Sequence, residues 1–494
     1  MLLRIQQRIL LPKNLVNLDT VACSAGGPLH KLTVPWGKDK GHFNLYSLAK
    51  TPIKYDNLSV ELQSYPLEQD RLQLLTGFKS SFSLQYSGPR KFKESQNLKS
   101  ALEAPDLVES KLIKAVALGR VAGPFSTAPF PSLRVSPVGL VPKKDGDFRL
   151  IHHLSYPQYD SVNYHIDPDI CSVKYSNIDE AVLMIQTLGQ NALLAKTDLK
   201  SAFRLLPIYP GDFDLLGIKC NDKYYFDKCL PFGSKLSCAL FNRFSTFLHW
   251  LVSKKSQNSH IIHYLDDVLF GGGSGDTTCH YTLTTFHQVS AHLGIPIAHD
   301  KTVEPTTCLS FLGIELDTVA MQMRLPQDKL SELCNQLQAT LQVKKLSLQE
   351  LQSLIGSLNF VCQVVSPGRA FIRRLIDATV GIKKARYRIR VKPSMKLDLE
   401  MWLEFLNHYN GVTLFPERSW VTNDTLQFFT DSSGGPSGGL GIFFQNKWAY
   451  GRWPQHWAET GRLGDMTFLE LFPIVVALSV WGAAVSQQKD IVSC

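Results

Sequence analysis

The stretch HYLDDVLFGGG, His263 to Gly273, constrains this chain more than any other. Two β-prone runs, Ile261 to Leu265 and Val268 to Phe270, flank Asp266 and Asp267, which predicts a tight hairpin with carboxylates at its tip. Two readings fit adjacent aspartates in that position: they solvate a bend, or they hold a metal ion. The rest of the chain has to decide between them.

At 494 residues the chain exceeds one compact core, and about 100–200 residues per domain suggests about three units. Its 52 Lys and Arg against 43 Asp and Glu leave a formal charge of +9, which suits a polyanionic partner but is shared with many proteins that never meet one. Ten cysteines fall in no CxxC pair and no zinc-spaced cluster, so they read as reduced intracellular thiols. The N-terminus MLLRIQQRILLPKN lacks the uninterrupted apolar core of a signal peptide. The longest apolar run, Leu471 to Val485, is short of the roughly 20 residues a membrane span needs and carries a proline. The expectation is a soluble intracellular protein, cytoplasmic and/or nuclear, without membrane contact.

Residues 1–55 show no periodicity or repeat and are left as an unassigned leader. Pro105 to Leu118 has helical spacing closed by Gly119. Val135 to Pro157 reads as a hairpin around a KKDG turn, carrying Lys143, Lys144 and Arg149. That turn is either a solvated bend or a clamp for a triphosphate. An amphipathic helix over Ile178 to Leu188 leads to a strand that stops at Asp198, within TDLKSAFRLLPI. A carboxylate there either caps the next turn or binds a cation. The loop CLPFGS feeds a helix whose aromatic stripe, Phe241, Phe244, Leu248 and Leu251, reads as core. SFLGIELD predicts a strand pair or bend around Gly313. Leu330, Leu333, Leu337 and Leu341, then Leu348, Leu351, Leu354, Ile355 and Leu358, predict two packed helices, the second opened by a Ser347/Glu350 capping box. A basic tract follows, with Arg386, Arg388, Arg390 and Lys392 alternating with Tyr387, Ile389 and Val391. It is either a solvated face or a track for a phosphate backbone. From Thr425 a strand ending at Asp431, a Gly/Ser-rich turn and two more strands precede a very apolar helix, Thr467 to Ala484, whose one acid, Glu470, is expected to need a partner or a cation.

Taken in order, VPKKDGDFRL, DLKSAF, LPFGSKLSCALF, HYLDD, the Lys301 region and FLGIEL resemble a reverse transcriptase followed by a ribonuclease H domain, over roughly residues 60–494. ALGRVAGPF, RLIHHLSYP and TDSSGGPSGGLGIFF look most like the polymerases of DIRS-type, tyrosine-recombinase-encoding retrotransposons. The implied fold is a multidomain α+β right-hand polymerase with a truncated ribonuclease H-like mixed α/β domain. Its divisions are fingers and palm over 56–325, a helical thumb over 326–395, a connection over 396–424 and the ribonuclease H-like part over 425–494.

The resemblance implies an RNA-directed DNA polymerase that acts on an RNA template, a DNA or RNA primer and the RNA–DNA hybrid, using deoxynucleoside triphosphates and two Mg2+ ions, with Mn2+ as an alternative. Two-metal nucleotidyl transfer places its ions about 3.5–4 Å apart. Asp198, Asp266 and Asp267 are the implied catalytic metal ligands. Successive strand residues point to opposite faces, so Asp198 and Asp266 are expected as principal ligands and Asp267 nearer an outer position. Lys143 and Arg149 match the residues that meet the triphosphate, and Phe203 the aromatic that excludes a ribose hydroxyl. Phe232 and Gly233 match the loop beneath the templating pair, Leu312 and Gly313 the primer-gripping turn, and Lys301 a proposed general acid. Asp431 and Glu470 match the first two ribonuclease H carboxylates. A third is expected after KDIVSC, where the sequence ends, and Asp490 sits too early to replace it. The chain is therefore expected to be a fragment of a longer polyprotein or a decayed element, and to lack ribonuclease H activity. The competing expectation is an inert nucleic-acid-binding remnant. Oligomeric state and template identity stay open.

Overall fold

A computed structural model describes residues 45–143, 146–409, 412–415 and 422–486. Most of the expected leader, Lys144 and Asp490 lie outside the described residues. The centre is a four-stranded antiparallel sheet in the spatial order Val303–Thr306, Leu193–Asp198, Asp267–Gly272, Ile261–Tyr264. Its residues explain it: LLAKTD and DVLFGG alternate or run apolar, and their buried side chains, Leu194 and Leu269 among them, face the Ile178–Leu188 helix. That helix starts where Asn177 accepts a hydrogen bond from the Glu180 backbone N–H, which satisfies one of the free donors of a helix start. Helices Ser237–Ser256 and Thr278–Leu293 also pack against this layer.

The basic hairpin forms as expected, Val138–Pro142 against Phe148–His152, with Val141 opposite Arg149. Lys143 N–H donates to the Asp147 carbonyl at 2.7 Å. Strand alternation then puts Lys143 and Arg149 on one face, because Asp147 and Arg149 are two residues apart. A second antiparallel sheet begins with the hairpin Cys308–Phe311 and Ile314–Asp317 and continues through Gln322–Arg324 to Val412–Leu414.

The two leucine stripes become helices Gln327–Gln342 and Leu348–Val361, with Leu330, Leu333, Leu337, Leu351, Leu354 and Leu358 buried in one shared core. The capping box is present: Ser347 Oγ accepts from Glu350 N–H at 3.1 Å, and Glu350 Oε2 accepts from Ser347 N–H at 2.7 Å. The division expected at residue 395 falls inside the helix Pro393–Tyr409, whose Met395, Leu399 and Trp402 pack into that same core. The strand Val412–Leu414 then returns to pair with Gln322–Arg324. Apolar burial, which has no regard for sequence distance, joins what the chain order suggested were separate units.

The last region is a meander, Phe428–Ser432, Gly439–Phe444 and Lys447–Arg452, packed on the helix Met466–Ser486. Glu470 differs from expectation: its side chain is exposed beside an equally exposed Leu471, so hydration replaces the partner a buried carboxylate would need. No helix among the described residues is long and apolar enough to cross a membrane.

Replacing Ser347 with alanine removes one cap acceptor. Denaturant unfolding should show a loss of about 1 kcal/mol, and Ser347→Thr should retain most of the stability.

Candidate active site

The Asp198 strand lies directly against the acidic hairpin, with Asp267 opposite Asp198 and Val268 opposite Thr197. Asp267 opens its strand, while Asp266 and Leu265 make the turn. Leu265 is held at φ +56°, a left-handed conformation that a leucine adopts at some cost and that clusters at working sites. The turn bends the backbone so that the Asp266 carbonyl accepts from Leu199 N–H at 3.1 Å. Three carboxylates thus meet at one end of the sheet.

Burial and mutual repulsion dominate their electrostatics, with Lys301 as a partial counter-charge. Burial, then the charges of Asp198 and Asp267, pushes the Asp266 carboxyl up to about 6, with Lys301 opposing. Asp267 is also raised, first by burial and then by Asp198. Both aspartates therefore feel Asp198; Asp267, expected nearer an outer position, is its direct cross-strand neighbour, while Asp266 is the more perturbed acid. Lys301, on the short turn His299–Lys301, bonds Asp198 Oδ2 through Nζ. Its ammonium is raised, chiefly by that bond. Asp198 Oδ1 is buried without a hydrogen-bond partner. An orphaned, inward oxygen among like-charged carboxylates is a donor set for a hard divalent cation. Among the described residues no three acidic, His or Cys side chains lie together as a group that could hold a metal ion.

A second cluster lies on the other side of the Asp198 strand's exit. Phe203 is buried in the turn Ala202–Leu205. It meets Phe241 edge-on at 5.3 Å and Phe232 edge-on at 5.1 Å. The Arg149 guanidinium sits 5.4 Å over the Phe232 ring, a cation–π contact that carries the basic hairpin to the aromatic cluster. Lys143 pairs with Asp147 at 3.2 Å. Gly233 is required by packing: a Cβ there would lie 1.7 Å from the His152 carbonyl oxygen. Its own carbonyl accepts from Asn163 Nδ2 at 2.9 Å.

Leu312 and Gly313 form the tip of the second hairpin at φ +48° and +82°, the signature of a primed two-residue turn. Lys329 Nζ donates to the Gly313 carbonyl at 3.0 Å. Asp431 is exposed in the first strand of the meander. It lies near the Glu470 helix because Ser432 Oγ donates to the Leu469 carbonyl at 2.6 Å.

Three supports were missed in the sequence. Arg204, next to Phe203, bonds Asp227, which is also 3.5 Å from His152 Nδ1. Burial raises the Asp227 carboxyl, but Arg204 and His152 outweigh it and the net shift is downward. That buried charge pair ties the Phe203 turn to the neighbouring sheet. Its signal was a lone arginine inside the apolar run FRLLPI. Beneath the acidic hairpin, His249 Nδ1 and His263 Nδ1 are 2.8 Å apart. Burial lowers both, His263 to about 4 with help from His249, so at neutral pH one neutral ring donates and the other accepts. The third is Arg120, half-buried, which donates to Ser201 Oγ at 3.2 Å.

The family profile described as reverse transcriptase (RNA-dependent DNA polymerase) matches residues 141–316. Every candidate residue except Asp431 and Glu470 lies in that span. The chain is 27% identical over 138 residues to the Transposon Tf2-3 polyprotein of Schizosaccharomyces pombe, covering 28% of this chain and 9% of the relative. It is 24% identical over 372 residues to the Gag-Pro-Pol polyprotein of Human T-cell leukemia virus 2, covering 74% of this chain and 22% of that one. The chain thus spans a small part of the polyproteins it matches. Among solved structures it is similar to the foamy viral protease-reverse transcriptase dRH in complex with double-stranded DNA, at a TM-score of 0.50 and 18% identity, over 85% of this chain and 71% of that one. A second foamy viral protease-reverse transcriptase structure, also with double-stranded DNA, matches at 0.50 and 16% identity over 86% and 88%.

The Asp266 shift gives a stability prediction. A carboxyl raised from 3.8 to about 6 favours the folded state while protonated, and that contribution is lost as pH rises through about 6. In chelator at pH 8, Asp266→Asn should be the more stable by on the order of 2–3 kcal/mol. The two proteins should converge near pH 3.5, and added Mg2+ should raise the parent's unfolding midpoint alone. With the fold, the acidic strand ends and the profile match in agreement, residues 141–316 are similar to a reverse transcriptase domain and are set in a multidomain polymerase fold.

Proposed function

We propose that this chain is the RNA-directed DNA polymerase of a retroelement of DIRS type, with fingers and palm over 56–325 followed by thumb and connection segments, 326–395 and 396–424, that share one core and the helix Pro393–Tyr409. The observation that carries the activity is the meeting of Asp198, Asp266 and Asp267 at one sheet end, with a buried, unpartnered oxygen on Asp198. Those carboxylates would hold two divalent ions, Mg2+ or Mn2+, which when bound activate the primer hydroxyl and neutralise phosphate charge. The primer 3′-hydroxyl gives its proton to solvent water as its oxygen bonds the α-phosphorus of a deoxynucleoside triphosphate, and the bond from that phosphorus to pyrophosphate breaks.

The chain's own residues do the remaining work. Lys143 and Arg149, on one face of their hairpin, oppose the charge that grows on pyrophosphate. Lys301, held protonated beside Asp198, supplies the proton that pyrophosphate takes up. Phe203, fixed by Phe241 and Phe232, leaves no room for a 2′-hydroxyl. Phe232 and Gly233 support the templating pair, and Leu312 and Gly313 position the primer end on an RNA template. The matched foamy viral proteins were solved with double-stranded DNA, which supports a nucleic-acid duplex as partner.

Residues 425–494 are read as ribonuclease H-like. Asp431 and Glu470, both exposed, supply two of the carboxylates such hydrolysis uses, and RNA cleavage by this chain is proposed to be absent.

Purified protein should extend a DNA primer on an RNA template with Mg2+. Asp266→Asn should lower the rate about 1,000-fold or more, since a lost ion costs several kcal/mol of transition-state stabilisation. No extension by the parent under any divalent ion would favour the inert remnant instead. Phe203→Ala should cut discrimination against ribonucleotides by about 10- to 100-fold, read from kcat/KM for each sugar.

A further inference from the structure

A cavity of about 300 Å3 lies behind the second strand of the basic hairpin. Leu112 and Ala115 of the helix Pro105–Ala117, with Val121 and Ile218 of the neighbouring sheet, give it an apolar side. Arg149 and Phe232 line it as well, whereas Asp198, Asp266, Asp267, Phe203 and Lys143 do not. It therefore adjoins the residues assigned to the incoming nucleotide without being part of the acidic sheet end. Apolar walls with a few polar groups, at the compact end of about 300–1,000 Å3, are the usual form of a small-molecule site.

The charges around this cavity do not balance. Lys111, Lys114, Arg120, Arg149 and Arg204 line it, against a single acid, Asp227. Asp227 is already engaged by Arg204 and lies 3.5 Å from His152 Nδ1. Lys111 is bonded to Asp147, outside the cavity. Arg120 has the least relief. It is half-buried, and its guanidinium donates to an uncharged partner, Ser201 Oγ, at 3.2 Å. Burial and then the like charge of Arg204 lower its pKa, and the group opposing them, Cys229, is a buried thiol rather than a carboxylate. A guanidinium nevertheless keeps its charge in a protein, so the repulsion persists until an anion arrives. His152, on the same wall, is buried with its Nδ1 lacking a hydrogen-bond partner among the described residues. Such a group marks polar capacity that the fold itself leaves unused.

The two sides together select the ligand. The cations suit a phosphate, which arginine binds through its planar fork, and the apolar side with the Phe232 ring suits a flat aromatic body. We propose that this cavity is a second, metal-independent nucleotide site, which takes a nucleoside monophosphate with its phosphate on Arg120 and Lys114 and its base against the apolar side. Arg149 faces the same ligand, and while so engaged it cannot serve an incoming triphosphate. A bound monophosphate thus competes with the incoming nucleotide. That consequence, but not the binding, rests on the polymerase reading.

The test is calorimetric titration of the full chain with adenosine 5′-monophosphate, adenosine and inorganic phosphate, in chelator so that no divalent ion takes part. The parent should bind the monophosphate about tenfold or more tighter than adenosine or phosphate alone. Arg120→Gln should weaken that binding by about tenfold or more. Lys114→Gln, at an exposed position that folding does not depend on, should weaken it about threefold. Asp266→Asn and Lys143→Gln should bind as the parent does. No binding by the parent, or unchanged binding in both Arg120→Gln and Lys114→Gln, would overturn the proposal. So would a loss in Asp266→Asn or Lys143→Gln, which would assign the ligand to the incoming-nucleotide site. Inorganic phosphate binding as tightly as the monophosphate would also overturn it, leaving a bare anion site. Extension is scored separately: the monophosphate should raise KM for the deoxynucleoside triphosphate and leave kcat unchanged, and Arg120→Gln should remove that effect. If the parent extends no primer the polymerase reading fails, while the titration still decides the site.

Discussion

Mutual repulsion of three desolvated carboxylates governs this protein. Asp198, Asp266 and Asp267 are brought together by cross-strand pairing, and the same burial that makes them useful makes them costly. Lys301 offsets part of that cost from a turn with no strand of its own. The sheet has to be rigid enough to hold like charges together. Its rigidity comes from the apolar runs that flank each aspartate, from the neutral His249–His263 pair beneath the hairpin, and from the helix Ile178–Leu188 behind it. A looser platform would relax the repulsion by moving the carboxylates apart, and the cation donor set would vanish with it.

The aromatic cluster around Phe203 is organised by shape as much as by charge. Phe241, Phe203, Phe232 and Arg149 form one chain of edge-on and cation–π contacts running from the helix core to the basic hairpin. The Arg204–Asp227 pair anchors the turn from which Phe203 projects. Leu265 and Leu312, two leucines at positive φ, mark the tips of the hairpins assigned to chemistry and to the primer. Strain at both tips is held by well-packed strands, which is where a fold can sustain it. Farther out, the capping box that starts the helix Leu348–Val361 also orders the two-stranded ribbon of Lys345–Ser347 against Arg388–Arg390, since Ser347 belongs to both.

Much of this was legible in the chain. Alternation around Asp266 and Asp267, the strand ending at Asp198, the KKDG hairpin, the Ser347/Glu350 box and both leucine stripes are local patterns, and local physics is written in consecutive residues. The ordered motifs then resembled one enzyme family, and the profile match over residues 141–316 covers the two hairpins and the Asp198 strand but not the leucine stripes or their capping box. Glu470 departs from its sequence expectation because apolar neighbours along the chain do not ensure burial: its helix leaves much of that apolar surface open to solvent. Arg204 and the histidine pair were overlooked because their partners lie 14–23 residues away in sequence.

The sequence by itself determined the hairpins, the helices and which side chains are capable of the chemistry, since each depends on a few neighbouring residues. Only the tertiary structure decided that Asp267 lies opposite Asp198, that Lys301 reaches the same carboxylate, and that Arg149 rests on Phe232. It alone brought the strand after residue 411 back to Gln322–Arg324 and paired the basic tract with Lys345–Ser347. The reason is physical: strand pairing and apolar burial reward closeness in space, and the chain order does not record which distant segments will share a face.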